Sequence, residues 1–219
     1  MKAIFLNFAS NNSSPEAEAC FALVTEEKTV AYNPVDHRIG DSGLMPLLEE
    51  TLQKAGWTYK DLTHIACIVG PGGFTSLRMA ASLANVIADQ LKIPATGIHL
   101  SDLYYARSKN PNNQSPITNN PFIWFHSTKK TDVFVRTFGI EESPWEEPTL
   151  VPVADLAAHS SQLAASSWSG ELIPDHRIII DSFSLQPATL QPVADILPAF
   201  LAPQTYGTGL LQPWYGRGW

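Results

Sequence analysis

The residues with the most chemical promise are Val69-Gly70-Pro71-Gly72-Gly73-Phe74-Thr75-Ser76-Leu77-Arg78. An apolar run of strand length, His64 to Val69, leads into the glycines, and a helical pattern from about Thr75 to Leu91 leads out. A glycine turn between a buried strand and a helix leaves backbone N–H groups free at the positive helix end, which suits a phosphate. Glycines also stand at such places merely to let the chain reverse. Gly70, Pro71, Gly72, Gly73, Phe74 and Thr75 are therefore read both ways, as a phosphate-loop-like turn and as a plain one. No other catalytic pattern accompanies them: there is no G-x-S-x-G elbow, no H-E-x-x-H and no G-x-x-x-x-G-K-[ST] loop. Asp36, Asp41, Asp132 and Asp181 have no spacing that pairs them. His37, His64, His99, His126, His159 and His176 never fall within four residues of one another. Cys20 and Cys67 each sit inside an apolar run without ligand spacing and read as buried thiols, a disulfide between them staying open.

The elements that must position this turn can be read from periodicity. Lys2 to Phe8, Glu18 to Val24 and Thr29 to Val35 are strand-like, with a Ser/Asn-rich loop after the first and a tight polar link after the second. Leu44, Leu47, Leu48, Leu52 and Ala55 recur at helical spacing over about Gly43 to Ala55, with Asp41 and Ser42 as N-cap candidates and Gly56 as a stop. Ala95 to Leu100 follows as a strand, and Ser101 opens a helix through Arg107. Ser108 to Pro121 is the clearest linker. Beyond it, Phe122 to Phe125, Asp132 to Phe138 and Arg177 to Ile180 read as strands, while Pro152 to Leu163 and part of Leu190 to Leu201 read as helices. Three meandering strands followed by alternating helix and strand predict an α/β fold, a mixed sheet flanked by helices.

Composition narrows the partners. The 219 residues carry 14 basic and 21 acidic side chains, a net charge of −7, and only 16% are charged. That is below the ~25% usual for soluble domains and leaves apolar surface over. No basic residue lies between Arg136 and Arg177, where seven acidic ones fall. An unaided grip on nucleic acid is not expected. The N-terminal apolar stretch is too short for a secretory signal, and no run reaches the ~18 apolar residues of a membrane span, so the reading is cytoplasmic.

The order Gly70-Pro71-Gly72-Gly73-Phe74-Thr75-Ser76-Leu77-Arg78 resembles the Gly-Pro-Gly-Ser-Phe-Thr-Gly-Leu-Arg motif of the TsaB (YeaZ) family, which serves tRNA threonylcarbamoyladenosine synthesis. Leu44-Met45-Pro46 stands where that family opens a helix, and Lys60-Asp61-Leu62-Thr63-His64-Ile65 looks like its approach to the strand. Pro213-Trp214-Tyr215-Gly216-Arg217 matches its closing Pro-x-Tyr-x-Arg. The resemblance is close over Pro34 to Leu103, loose over Phe122 to Phe138 and thin from there to Pro213. It departs at Gly73, usually Ser, at Ser76, usually Gly, and around Gly40 to Ser42, often His-Ser. It also departs at Asn7, where the family reads Asp and the wider actin-like fold uses that carboxylate for Mg-nucleotide. An amide is a poorer ligand for a hard cation, so Asn7 is read as a strand residue satisfied by hydrogen bonds.

The resemblance implies an actin-like (ribonuclease-H-like) fold with two subdomains: residues 1–107, a linker at 108–121, and a smaller αβ subdomain at 122–219 ending in a strap that holds Trp214, Tyr215 and Trp219. The TsaD relatives hold their metal with a His-x-x-x-His pair that this chain lacks. The expectation is thus no catalytic residue, no metal and no cofactor, with weak nucleotide binding at the turn left open. The implied role is a non-catalytic partner that binds and activates a TsaD-like transferase as a heterodimer. A TsaE-like ATPase is a further partner, a homodimer forms when the partner is missing, and tRNA is reached only through the complex. Family pairing through the two helices makes Leu44, Leu47, Leu48, Leu52, Leu77, Ala81, Ala84 and Ala88 the expected interface. The competing readings are a stand-alone actin-fold ATPase or phosphotransferase and a homodimeric structural protein.

Overall fold

The computed structural model describes residues 1–10, 17–35, 41–109, 121–159, 163, 166–183 and 185–216. Most of the Ser108 to Pro121 linker, Asp36, His37, Arg217 and Trp219 lie outside the described residues, as do the Asp41 and Ser42 side chains. The chain divides into two units. The first holds Met1–Asn12, Glu18–Leu100 and Pro192–Tyr215, and the second holds Ser101–Gln191 with short pieces from either end.

In the first unit, β1 (Lys2–Asn7), β2 (Cys20–Thr25), β3 (Thr29–Pro34), β4 (His64–Gly70) and β5 (Ala95–His99) form one sheet in the order β3-β2-β1-β4-β5. β1 pairs antiparallel with β2 and parallel with β4, Ile4 standing opposite Leu23 and Ile65. Ala3, Ile4, Phe5 and Leu6 are all fully buried, so both faces of β1 are covered. This suits an apolar run without alternation. α1 (Asp41–Ala55) packs on β3 and β2, and α2 (Phe74–Leu91) lies mainly over β4. The parallel β4-α2-β5 crossover obliges α2 to lay its apolar stripe on the sheet. Leu77, Ala80, Ala81, Ala84 and Ile87 make that stripe, and its small residues let the helix sit close to the strands. Leu44, Leu48 and Leu52 of α1 join Ala80, Ala84 and Ile87 in one core with Ile4, Leu6, Phe21, Leu23, Ile65 and Cys67.

The second unit follows the helix α3 (Leu100–Ser108) with β6 (Phe122–Ser127), β7 (Asp132–Phe138), β8 (Thr149–Pro152), α4 (Val153–Leu156), β9 (Ser167–Glu171), α5 (Pro174–Asp181) and β10 (Gln186–Pro187). The sheet order is β10-β9-β6-β7-β8. Central β6 is buried at every position. Ile123 and Phe125 enter a core with Val133, Val135, Leu156, Trp168 and Ile180.

The second half differs from the sequence expectation at several points. Of the expected helix Pro152 to Leu163, Pro152 ends β8, and the other described residues are helical: α4, a 3-10 turn, Ala157–His159, and Leu163. Arg177 to Ile180 is helix, not strand: Pro174 takes the first helical position, which suits its fixed φ and missing N–H. β9 has the composition Ser-Trp-Ser-Gly-Glu, weak in strand formers, and its pairing with β6 supplies the order. Gly170 is required there (φ +148), because a Cβ would lie 1.7 Å from the Phe125 carbonyl oxygen. Finally, α6 (Val193–Leu201) packs on β2 and β3, so Pro192–Tyr215 belongs with the first unit and not with the second half of the chain. The buried side chains Val193, Ile196, Leu197 and Leu201 give the reason: they have a sheet to cover.

Candidate functional site

β4 ends at Gly70, and α2 takes Gly73 as its N-cap in extended backbone (φ −64, ψ 132) without a side-chain cap bond. Two of the glycines in the turn are needed for close approach. Gly70 (φ +147) faces the Trp214 carbonyl, whose oxygen would lie 2.1 Å from an added Cβ. Gly72 faces Ala9, whose carbonyl oxygen would lie at 2.8 Å. Gly73 is different, since an added Cβ would meet only the Ser76 side chain, at 3.6 Å. The turn's inner side is thus packed with the chain's own backbone, while Gly73, Phe74 and Thr75 stay exposed at the helix start.

Asn7, at the end of β1, is fully buried and its amide is committed. Nδ2 donates to Ser10 Oγ at 3.1 Å and to the Glu18 carbonyl at 2.8 Å, and Oδ1 accepts from the Ala9 N–H at 3.2 Å. A carboxylate could not make the bond to Glu18, because it would set two acceptors against each other. Asn7 therefore ties together the two ends of the loop between β1 and β2 and steadies the Ala9 backbone against Gly72. Nearby, the Tyr32 hydroxyl donates to Glu18 Oε2 at 3.0 Å, and the same oxygen accepts from the Val193 N–H at 3.2 Å. Burial, with Cys20 and Glu18 close by, holds the Tyr32 phenol well above its ordinary range.

The cysteines are free and buried, and burial pushes the Cys67 thiol up to about 12, leaving it inert at neutral pH. In the second unit Ser127 Oγ lies 2.8 Å from His176 Nδ1, and His176 Nε2 lies 2.9 Å from the Lys130 carbonyl. The carbonyl can only accept, so Nε2 carries a proton and, in the neutral ring, Nδ1 accepts from the serine. Both residues are buried, and the pair fastens the β6–β7 turn to α5 where no substrate reaches it. His126 is fully buried, stacked on Trp124 (5.5 Å, 7°), with Glu171 Oε2 3.8 Å from its Nδ1. Neither ring nitrogen has a hydrogen-bond partner among the described residues. Burial holds its pKa below the ordinary imidazole value, against the pull of Glu171. Among the described residues no three His, Cys, Asp or Glu side chains gather as metal ligands.

The helices give the clearest surface feature. Of the expected interface residues, Leu44, Leu48, Leu52, Leu77, Ala81 and Ala84 are buried in the first unit's own core, and Leu47 and Ala88 pack partly against it. These residues hold the helices to the sheet and present little or nothing outward. The outward side carries others: Met45 is 42% exposed on α1, and Phe74 and Val86 are 56% and 59% exposed on α2. Phe74, Arg78, Ser82 and Val86 fall four residues apart, so they form a stripe that winds round the exposed side by about 40° per step, flanked by half-buried Met79 and Leu83. The run Met79 to Ala88 is apolar almost all round, which conceals which side faces the strands; the crossover to β5 was the signal that could have resolved it.

The strap lies on the first unit. Trp214 N–H donates to the Val69 carbonyl at 2.8 Å and its ring meets His99 edge-on, while Tyr215 lies against Phe74 at 4.9 Å. No helix among the described residues is long and apolar enough to cross a membrane.

The family model described as "TsaD: tRNA N6-adenosine threonylcarbamoyltransferase" matches residues 41–165, more than half of the 219-residue chain. The chain is 36% identical over 55 residues to a tRNA threonylcarbamoyladenosine biosynthesis protein TsaB of Buchnera aphidicola from Acyrthosiphon pisum, 25% of each chain. It is 45% identical over 56 residues to a tRNA N6-adenosine threonylcarbamoyltransferase of Ralstonia pickettii, 26% of this chain and 16% of that one. These matched stretches thus span a quarter or less of the relatives' length. Among solved structures, a protein "with similarity to peptidase YEAZ" from Pseudomonas aeruginosa superposes over 99% of both chains with a TM-score of 0.70 at 18% identity. YeaZ from Pseudomonas aeruginosa superposes over 84% of this chain and 90% of its own, with a TM-score of 0.57 at 15% identity. The two α/β units are those of the actin-like fold. Because the TsaD-type match runs through the helices and the glycine turn and covers more than half of the chain, the chain belongs to the family that this model describes, and TsaB and YeaZ proteins are among those it is similar to.

Proposed function

We propose that this chain serves tRNA threonylcarbamoyladenosine biosynthesis as a non-catalytic subunit that docks a TsaD-like transferase on the outward side of α1 and α2. The observation that carries this reading is the exposure of Met45 on α1 and of Phe74 and Val86 on α2, the helix that starts at the glycine turn. Scattered exposed apolar residues need no explanation, but Phe74 and Val86 lie on one winding stripe of the exposed side of α2, with Arg78 and Ser82 between them. Family membership and the TsaB names of the matched relatives support the pathway. The role of Asn7 supports the absence of catalysis: its amide does a structural job in the place where the fold's nucleotide enzymes need a carboxylate.

A subunit of this kind acts by binding the transferase's competent conformation better than its idle one, which shifts a population without making bonds. The stripe would form the centre of the contact, with Arg78 above the Phe74 ring at 5.3 Å as an aromatic–cation pair of the type enriched at such centres. Light scattering on a mixture with the TsaD-type transferase of the same genome tests it. A mixed species that Val86→Asp abolishes is the expected result. A persistent homodimer with no mixed species would overturn it, as would steady ATP hydrolysis by the isolated chain.

A further inference from the structure

The strap beyond α6 is attached in an uneven way. From Ala202 to Tyr215 no residue is fully buried. Its hold comes from a short series of hydrogen bonds. Gly207 and Ala95 exchange a pair at 2.9 and 2.8 Å on the open edge of β5. The Asn85 side chain grips the Leu211 backbone twice, donating to its carbonyl at 2.9 Å and accepting its N–H at 2.8 Å. The Trp214 N–H reaches Val69 at 2.8 Å. A segment with few buried contacts and hydrogen bonds near solvent opens at far lower free energy than the strands beneath it. Only two or three residues separate successive attachments, so releasing one frees its neighbours.

One of these attachments, at Asn85, and the ring contact between Phe74 and Tyr215 join the strap to α2. Asn85 is next to Val86, and the Phe74 ring lies tilted against Tyr215, so the strap meets α2 beside both exposed apolar residues. We infer that Gly207 to Tyr215 is a latch that opens as one unit, and that a body covering the α2 stripe holds it shut. The second clause rests on the docking surface proposed above; the first does not. Opening would bare the β5 edge and the Gly70 turn. A partner seated against Phe74 and Tyr215 binds the closed latch better than the open one, and that difference in affinity couples docking to closure.

Amide-resolved hydrogen exchange on the full chain tests both clauses, with Gly207, Leu211 and Trp214 as reporters because each donates one of the attaching bonds. Asn85→Ala keeps a good helix former in α2 and removes two bonds, so all three amides should exchange about tenfold faster or more, while the β4 amides stay unchanged. Acceleration of Leu211 alone, or of β4 equally, would overturn the latch. Adding the TsaD-type transferase should then slow all three amides together. If the transferase still binds Val86→Asp, the docking surface is wrong. If Val86→Asp abolishes binding yet the bound wild-type chain shows unslowed strap amides, only the coupling is wrong.

Discussion

At Asn7 a single change of residue type would exchange a hydrogen-bonded amide for a carboxylate. Asn7→Asp would place a carboxylate 2.8 Å from the Glu18 carbonyl in a fully buried position. The expected loss of stability is about 2–4 kcal/mol by urea denaturation, with no divalent-metal dependence of the midpoint. Stabilisation by magnesium would instead reveal a latent metal site. Gly73→Ser works in the other direction. Its backbone is ordinary for any residue and the space is open, so a hydroxyl can cap α2 and add a few tenths of a kcal/mol to stability. His126 gives the pH dependence. Its folded pKa lies below its unfolded value, so above pH ~6.5 both states are neutral and the residue costs nothing. As pH falls below ~6.5 the unfolded chain takes up a proton that the folded one refuses, and stability declines. Urea midpoints between pH 7.5 and 5.5 should show this decline, reduced in His126→Phe, which keeps an aromatic ring against Trp124. The sequence reading reached the right character for Asn7, because a strand-end amide beside a Ser/Asn-rich loop has local partners. It could not single out His126, whose neighbour Glu171 on β9 comes from a distant part of the chain.

The helices separate what periodicity can say from what topology adds. In α1 the apolar spacing located the element and its apolar side, which the sequence reading gave to a partner and which the first unit's own core takes up. In α2 it located the element only, because small apolar residues surround it and the sheet-facing stripe is visible only once β4 and β5 flank it. Two substitutions make the difference measurable. Ala84→Asp puts an unpaired charge into a fully buried position and should unfold the first unit, seen as loss of the cooperative thermal transition. Val86→Asp lies two residues away on the exposed side and should leave stability within about 0.5 kcal/mol, while weakening transferase binding by a hundredfold or more. In the second unit the sequence reading left the short β9 unassigned and took part of α5 for a strand, since sheet pairing and a first-turn proline outweigh composition there.

Across the molecule, the sequence signal for two parts was sound, but the border was placed by the linker and missed the return of α6. Leu197 is fully buried within the first unit's α6. Leu197→Ala should therefore cost about 2–5 kcal/mol and speed hydrogen exchange in β2 and β3, leaving β6 and β7 unaffected. Equal loss of protection in β6 would show that α6 serves the other unit. The first unit is assembled from Met1–Asn12, Glu18–Leu100 and Pro192–Tyr215. During synthesis its sheet must wait, with one flank of β2 and β3 uncovered, while the intervening stretch is translated at roughly 5–20 residues per second. The nascent chain therefore spends on the order of 5–20 s with a greasy, unfinished surface on the ribosome. A helper that shields exposed strands, or a codon choice that hastens that stretch, should raise the yield of this protein more than that of one whose domains close in chain order.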